Sequence, residues 1–238
     1  MFTTMPWEAP PVSTLTPTSV AARRKPYAGV QMEGPIARWY ARNTRGRRDY
    51  ATTAASIAEQ LAPGSAVLEV APGPGYLAIE LARRGAYHIS GLDISRSFVR
   101  IATDNARRAG VAIDFRHGDV AHMPFAPESF DFVVCQAAFK NFPEPVAALD
   151  EIHRVLRPAG RASIFDLRKD ASREAIEREI RGMQLSALNA LLTRLVFRFG
   201  LLRAAYTCEA LEAVVARSRF GVGEIVPDGI GFELRLTR

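Results

Sequence analysis

V-L-E-V-A-P-G-P-G-Y, residues 67–76, joins an apolar, strand-like run that carries an acid to a loop of alternating proline and glycine. A-I-E-L-A-R-R-G, which reads as a helix, follows within two residues. Ligands of open α/β sheets bind beyond the carboxyl ends of the strands, where the next helix also points its N-terminus. Gly73 and Gly75 let backbone approach a ligand with no Cβ in the way. Pro72 and Pro74 bias Ala71 and Gly73 toward extended backbone, with a negative φ expected at Ala71. They also stiffen the loop, so that closing it over a ligand costs less entropy. A rigid turn alone accounts for the prolines but not for Glu69.

Outward from this loop, apolar runs alternate with helical periodicity. Strands are expected at 66–70, 88–93, 112–117, 130–135 and 161–166, with helices at 77–84, 95–109 and 146–156. Continuously apolar runs such as F-D-F-V-V-C suit a sheet covered on both faces, and the alternation argues parallel strands with right-handed crossovers. Residues 34–61 read as helical and stop at Pro63-Gly64. From 171 to 217 the pattern is nearly continuous helix, opened by the capped start S-R-E-A-I-E-R-E-I. The last stretch reads as a hairpin of two short strands around Pro227-Asp228-Gly229. The expected architecture is therefore a seven-stranded, Rossmann-like α/β sheet, mostly parallel, with an antiparallel last strand and helices on both faces. Residues 1–28, rich in Pro, Thr, Ser and Ala, read as a flexible leader, with a transit peptide as the alternative. Residues 29–238 then form a single domain with an N-terminal helical lid at 29–62 and a helical insert at 171–205 over the strand ends.

The chain has 238 residues, enough for one well-filled α/β domain. No apolar run reaches the roughly 18 residues of a spanning helix, and the N-terminus lacks the pattern of a secretory signal. Cys135 and Cys208 form neither a disulfide framework nor a metal spacing, which reads as a reducing cytoplasm. The formal net charge of +6 raises nucleic acid as a partner. No recognition module or Cys/His finger accompanies it, so a solvated basic surface is the plainer reading.

The later strand ends repeat the pattern of the first. Asp93 closes S-G-L-D-I-S, where an acid characteristically takes a ribose diol. Asp119 follows the third strand in R-H-G-D-V. With these in place the sequence resembles the class I S-adenosylmethionine-dependent methyltransferases, in particular the group that includes quinone-biosynthesis enzymes. The resemblance covers about residues 34–168. It matches the family's acid-x-Gly-x-Gly-x-Gly loop to residues 69–75, its ribose acid to Asp93 and its adenine-holding Gly-Asp-Val to Gly118, Asp119 and Val120. It implies a cofactor site of Tyr40, Glu69, Ala71, Pro72, Gly73, Gly75, Tyr76, Asp93, Ile94, Ser95, Gly118, Asp119, Val120 and Gln136, and no metal. Ala71 replaces the first glycine of the pattern, and Ala159-Gly160 replaces a Gly-Gly. After the fourth strand F-K-N-F-P-E-P puts Lys140 and Asn141 where the family often has a His pair, so no role carries over from that pair.

The implied reaction is in-line displacement of a methyl group from a sulfonium, in which alignment of the partners supplies much of the acceleration. No Asn/Asp-Pro-Pro-aromatic run follows the fourth strand, which speaks against methylation of nucleic-acid bases. The apolar insert, with Tyr27, Trp39, Tyr40, Phe139 and Phe142, suggests a small apolar or aromatic acceptor, although core packing explains such aromatics equally well. Lys140, Asn141 and Tyr40 are the candidate catalytic residues. The alternative for the first two is structural, with Lys140 snorkelling to water and Asn141 capping the turn before Pro143. His122 is expected to border the cofactor. A nicotinamide dehydrogenase would want G-x-G-x-x-G, which this loop lacks. An RNA methyltransferase and a cofactor-binding protein without turnover remain as alternatives.

Overall fold

The computed structural model describes residues 32–46, 49–182 and 201–238. The expected leader, Tyr27 and most of the apolar insert lie outside the described residues.

Two helices come first, α1 (Gly34–Thr44) and α2 (Asp49–Ala58). The alternating part follows as β1 (Ala66–Val70), α3 (Tyr76–Ala82), β2 (His88–Asp93), α4 (Arg96–Ala109), β3 (Asp114–His117) and β4 (Phe130–Gln136). A 3₁₀ turn at Phe139–Asn141 leads into α5 (Pro145–Val155), β5 (Leu156–Leu167) and α6 (Arg173–Gly182). After a second 3₁₀ turn, Leu201–Ala204, come α7 (Cys208–Ala216), β6 (Glu224–Asp228) and β7 (Gly231–Thr237). The seven strands form one sheet in the order β3-β2-β1-β4-β5-β7-β6. β1 to β5 run parallel, and β7 is antiparallel to both β5 and β6.

Side-chain alternation along the strands splits the core into two layers. Leu68, Val70, Val133, Cys135, Ala162 and Ile164 face α5 and α7, meeting Leu149, Ile152, Leu211 and Val215. Val67, Ile89, Phe132 and Val134 face the other way, onto Leu77 and Leu81 of α3 and Ala54 and Ile57 of α2. A register shift between Phe130 and Phe132 leaves Asp131 free to accept from the Ala66 N–H at 2.8 Å.

Three local expectations change. The hairpin turn lies at Gly229-Ile230, at the far end of the expected Pro227-Asp228-Gly229, because β6 runs through Pro227 and Asp228. Proline is tolerated there because β6 is the edge strand and needs donors on one side only. β5 starts earlier than expected, at Leu156, and loops out through Ala159 at φ 62°. The prolines of the first loop do not hold an extended backbone: Ala71 and Gly73 both sit at φ 54°. The chain must fold back at once from β1 to start α3, and the left-handed conformation makes that reversal.

Candidate functional site

The carboxyl ends of β1, β2 and β4, the start of the loop after β3 and the N-termini of α3 and α4 meet at one edge of the sheet. Asp93 organises it. Its Oδ2 accepts from Gly73 N at 2.9 Å and its Oδ1 from Ser95 N at 2.8 Å, so one carboxylate ties the glycine loop to the start of α4. Burial pushes its carboxyl up to about 6, despite these two N–H donors. Each oxygen keeps a second lone pair, the capacity a diol would use.

Glu69 is buried and turned onto α3, where Oε2 accepts from Ala78 N at 2.9 Å. It satisfies one of the donors that a helix N-terminus leaves open. Burial pushes its carboxyl up to about 8, with the Ala78 N–H opposing and the Asp93 charge adding. Gly73 and Gly75 differ in kind. A Cβ at Gly73 would find only Phe98 Cε2 at 3.9 Å, whereas one at Gly75 would stand 2.8 Å from Phe115 Cζ and 3.0 Å from Ala102. Gly75 therefore serves packing, at φ 76°, and Gly73 is the glycine with open space. Pro72 is buried over Gly91, and Tyr76 begins α3 with its hydroxyl donating to Ala41 O at 2.8 Å.

At the third strand end, Gly118 N donates to Asp93 O at 3.0 Å, and Asp119 Oδ1 accepts from Ala121 N at 3.0 Å. Val120 packs against the core, Ile94 is half-buried between Asp93 and Ser95, and Ser95 caps α4 by accepting from Phe98 N. His122 is largely exposed, with Nδ1 3.9 Å from Asp119 Oδ2. Gln136 ends β4 with Nε2 at 3.4 Å from Thr53 Oγ1, while its Oε1 is buried without a donor among the described residues. Tyr40 lies edge-on to Phe98, the ring nearest Gly73, at 5.7 Å between centroids.

Lys140 and Asn141 part company. Lys140 does not snorkel to water. Its Nζ donates to Asp166 Oδ1 at 2.7 Å and to Ala137 O at 3.0 Å, and its backbone N–H donates to Asp166 Oδ2 at 2.9 Å. Its side chain is 10% exposed and that of Asp166 is 0% exposed, so the charge is neutralised in the interior instead. Asn141 is half-buried, and its amide makes no hydrogen bond among the described residues. It does not cap the following turn. Phe139 and Phe142 are core residues packed at 5.5 Å, and Trp39 is exposed, so these three aromatics do not line the strand ends as a set.

The sequence reading missed Glu33, Ser97, Thr53 and Asp166. Glu33 Oε2 accepts from Ser97 N at 3.2 Å and from the Ser97 hydroxyl, and Ser97 Oγ in turn accepts from Gly34 N at 2.9 Å. Slight burial opposes ionisation, but these donors at the start of α4 hold the Glu33 carboxyl below its usual range. The contacts fasten the entry to α1 over the site, and nothing local in the sequence announces them. Asp166 was within reach, being an acid near the end of a strand like Glu69 and Asp93. Away from the strand ends, a shallow hollow between α2 and α3 is lined by Ala55, Ala58, Glu59, Arg83, Arg84 and Tyr87. Arg84 and Tyr87 there donate to backbone carbonyls of α2.

Against known proteins, residues 68–164 match the model of a methyltransferase domain. Similar proteins include a demethylmenaquinone methyltransferase of Deinococcus radiodurans, 37% identical over 120 residues, 50% of this chain and 50% of that protein. An arsenite methyltransferase of Halobacterium salinarum is 33% identical over 112 residues, 45% of this chain and 28% of that one. The match thus spans half or less of the length of these relatives. The chain shares the fold of an S-adenosylmethionine-dependent methyltransferase from Aquifex aeolicus, with a TM-score of 0.66 at 16% identity over 84% of this chain and 97% of that one. Among the described residues no helix is long and apolar enough to cross a membrane, and no three His, Cys, Asp or Glu side chains gather as a metal-holding group.

Proposed function

We propose that this protein transfers the methyl group of S-adenosylmethionine to a small apolar or aromatic molecule. The observation that carries the reading is the Asp93 carboxylate, which holds the open Gly73 backbone against the start of α4. The residues fit the cofactor: Asp93 retains acceptor capacity for a ribose, and Gln136 Oε1 is a buried acceptor awaiting a donor such as an amino group. Asp119 and Val120 would border the adenine, and Tyr40, one ring away from Gly73 through Phe98, would border the methionine end.

The bound cofactor supplies a methyl group activated on a sulfonium. The chain supplies alignment and exclusion of water. Asn141 would orient a polar atom of the acceptor, since its side-chain amide is not spent on any of the described residues. Lys140 acts through structure, pinning the 139–141 turn to β5 through Asp166. The acceptor class is supported by the relative named for demethylmenaquinone, and the cytoplasmic setting by the two free cysteines.

Incubating the protein with labelled cofactor and a metabolite extract should transfer label to a small apolar product. Label in RNA instead, or cofactor binding without any transfer, would overturn the acceptor or the activity. Asp93→Ala, still folded by circular dichroism, should lose about 1–3 kcal/mol of cofactor affinity in calorimetry. Unchanged affinity would remove the ribose assignment.

A further inference from the structure

α1 buries Ala37, Ala41 and Thr44 and turns its opposite face to solvent. On that outer face Trp39 is 59% exposed and Ile36 47% exposed, the two large apolar side chains that the helix exposes. Pro35 is exposed beside them, and Arg38, Arg42 and Arg45 are exposed along one flank at helical spacing. None of the three arginines is in an ion pair among the described residues. The helix contains no acid, and Glu33, just ahead of it, is turned to Ser97.

We propose that this face docks α1 on an anionic membrane surface. A tryptophan and a branched aliphatic on one face, flanked by cations, is the composition that seats a helix at the headgroup level. Arginines without an ion pair among the described residues suit the negative potential of such a surface. Two large side chains are too little for a standard interface between proteins, which buries about 800 Å² per partner. A phosphate backbone would use the arginines but gain nothing from Ile36 and Trp39. The inner face of the helix meets the site through the Ala41 carbonyl and the Tyr76 hydroxyl, so docking sets the strand ends close to the bilayer. This assignment goes beyond methyl transfer and does not rest on it.

The full chain carrying Trp7→Phe, which leaves Trp39 as its sole tryptophan, is titrated without cofactor with vesicles of phosphatidylglycerol and phosphatidylcholine, and with phosphatidylcholine alone. Binding to the anionic vesicles should shift Trp39 emission to the blue, with quenching by brominated acyl chains. Each arginine should contribute about fivefold to the partition constant, from about 1 kcal/mol per cation at such a surface. Sedimentation with vesicles reads Trp39→Ser and Arg38→Glu/Arg42→Glu without needing the fluorophore. Both should bind at least tenfold more weakly, with unchanged thermal unfolding. No binding to either vesicle, equal binding to both, or full binding by the two variants would overturn the proposal. So would a dimer in sedimentation velocity that Trp39→Ser dissociates, which would assign the face to a second copy.

Discussion

Ala71 and Ala159 stand at the two positions where the family pattern has glycine, and both adopt left-handed backbone, at φ 54° and 62°. An L side chain there costs about 1–2 kcal/mol, which glycine avoids. Ala159→Gly, remote from the site, should raise the urea-unfolding free energy by up to about 1 kcal/mol. Ala71→Gly should do the same while loosening the loop that Asp93 holds, so cofactor affinity should fall as stability rises. A second residue-scale prediction concerns Glu69. Its carboxyl lies near 8 in the fold against 4.5 as the ordinary value, so between these the folded state holds a proton that the unfolded chain has released. That contribution is fully present below about pH 4.5 and lost as pH rises through about 8. Glu69→Gln keeps an acceptor for Ala78 N and removes the titration. It should unfold at higher urea than the parent at pH 8, by on the order of 4 kcal/mol, and come within about 1 kcal/mol of it near pH 5.

At the scale of elements, the 139–141 turn is bolted to β5 by the Lys140–Asp166 pair. Lys140→Met strands a buried carboxylate and should cost about 3–5 kcal/mol of stability, read from denaturant unfolding, whatever its effect on turnover. Asn141→Ala should leave stability within about 0.5 kcal/mol and lower kcat at least tenfold, equivalent to about 1.4 kcal/mol. A mutant as active as the parent would return Asn141 to the scaffold. Helix α1 behaves as an element too. α1 rests on small residues, Ala37 and Ala41, and is fastened at its entry by Ser95 and Ser97. Its amides should exchange with deuterium faster than those of β1 and become protected when cofactor binds, whereas the sheet should change little.

Across the whole molecule, the sheet and its two-sided core were legible because strand-length apolar runs alternate with periodic helices, and burial enforces that pattern. The acids that close the apolar runs stood out as charges for the same reason, although Glu69 is spent on the N-terminus of α3. What escaped was set by contacts distant in sequence. The sense of φ at Ala71 depends on where the chain must go after β1, and the prolines argued the opposite. The fate of Lys140 depends on Asp166, 26 residues away, and that of Trp39 on which face of α1 meets α4. Similar side chains in sequence, Trp39 and Phe139, ended one outside and one wholly inside.

The placement of β7 between β5 and β6 has a consequence for the order in which the chain is made. On the ribosome, β1 to β5 emerge with their crossovers and can assemble as a parallel core. β5 must then wait with one row of N–H and C=O groups unpaired until residues 231–237 leave the exit tunnel. β6 is made first but has β7 as its sole strand partner among the described residues, so it stays idle through the same interval. An unpaired edge of this kind templates pairing with other chains, and a pairing so distant in sequence closes slowly. The nascent protein thus passes through a window in which its own synthesis rate governs its exposure to aggregation and to chaperones.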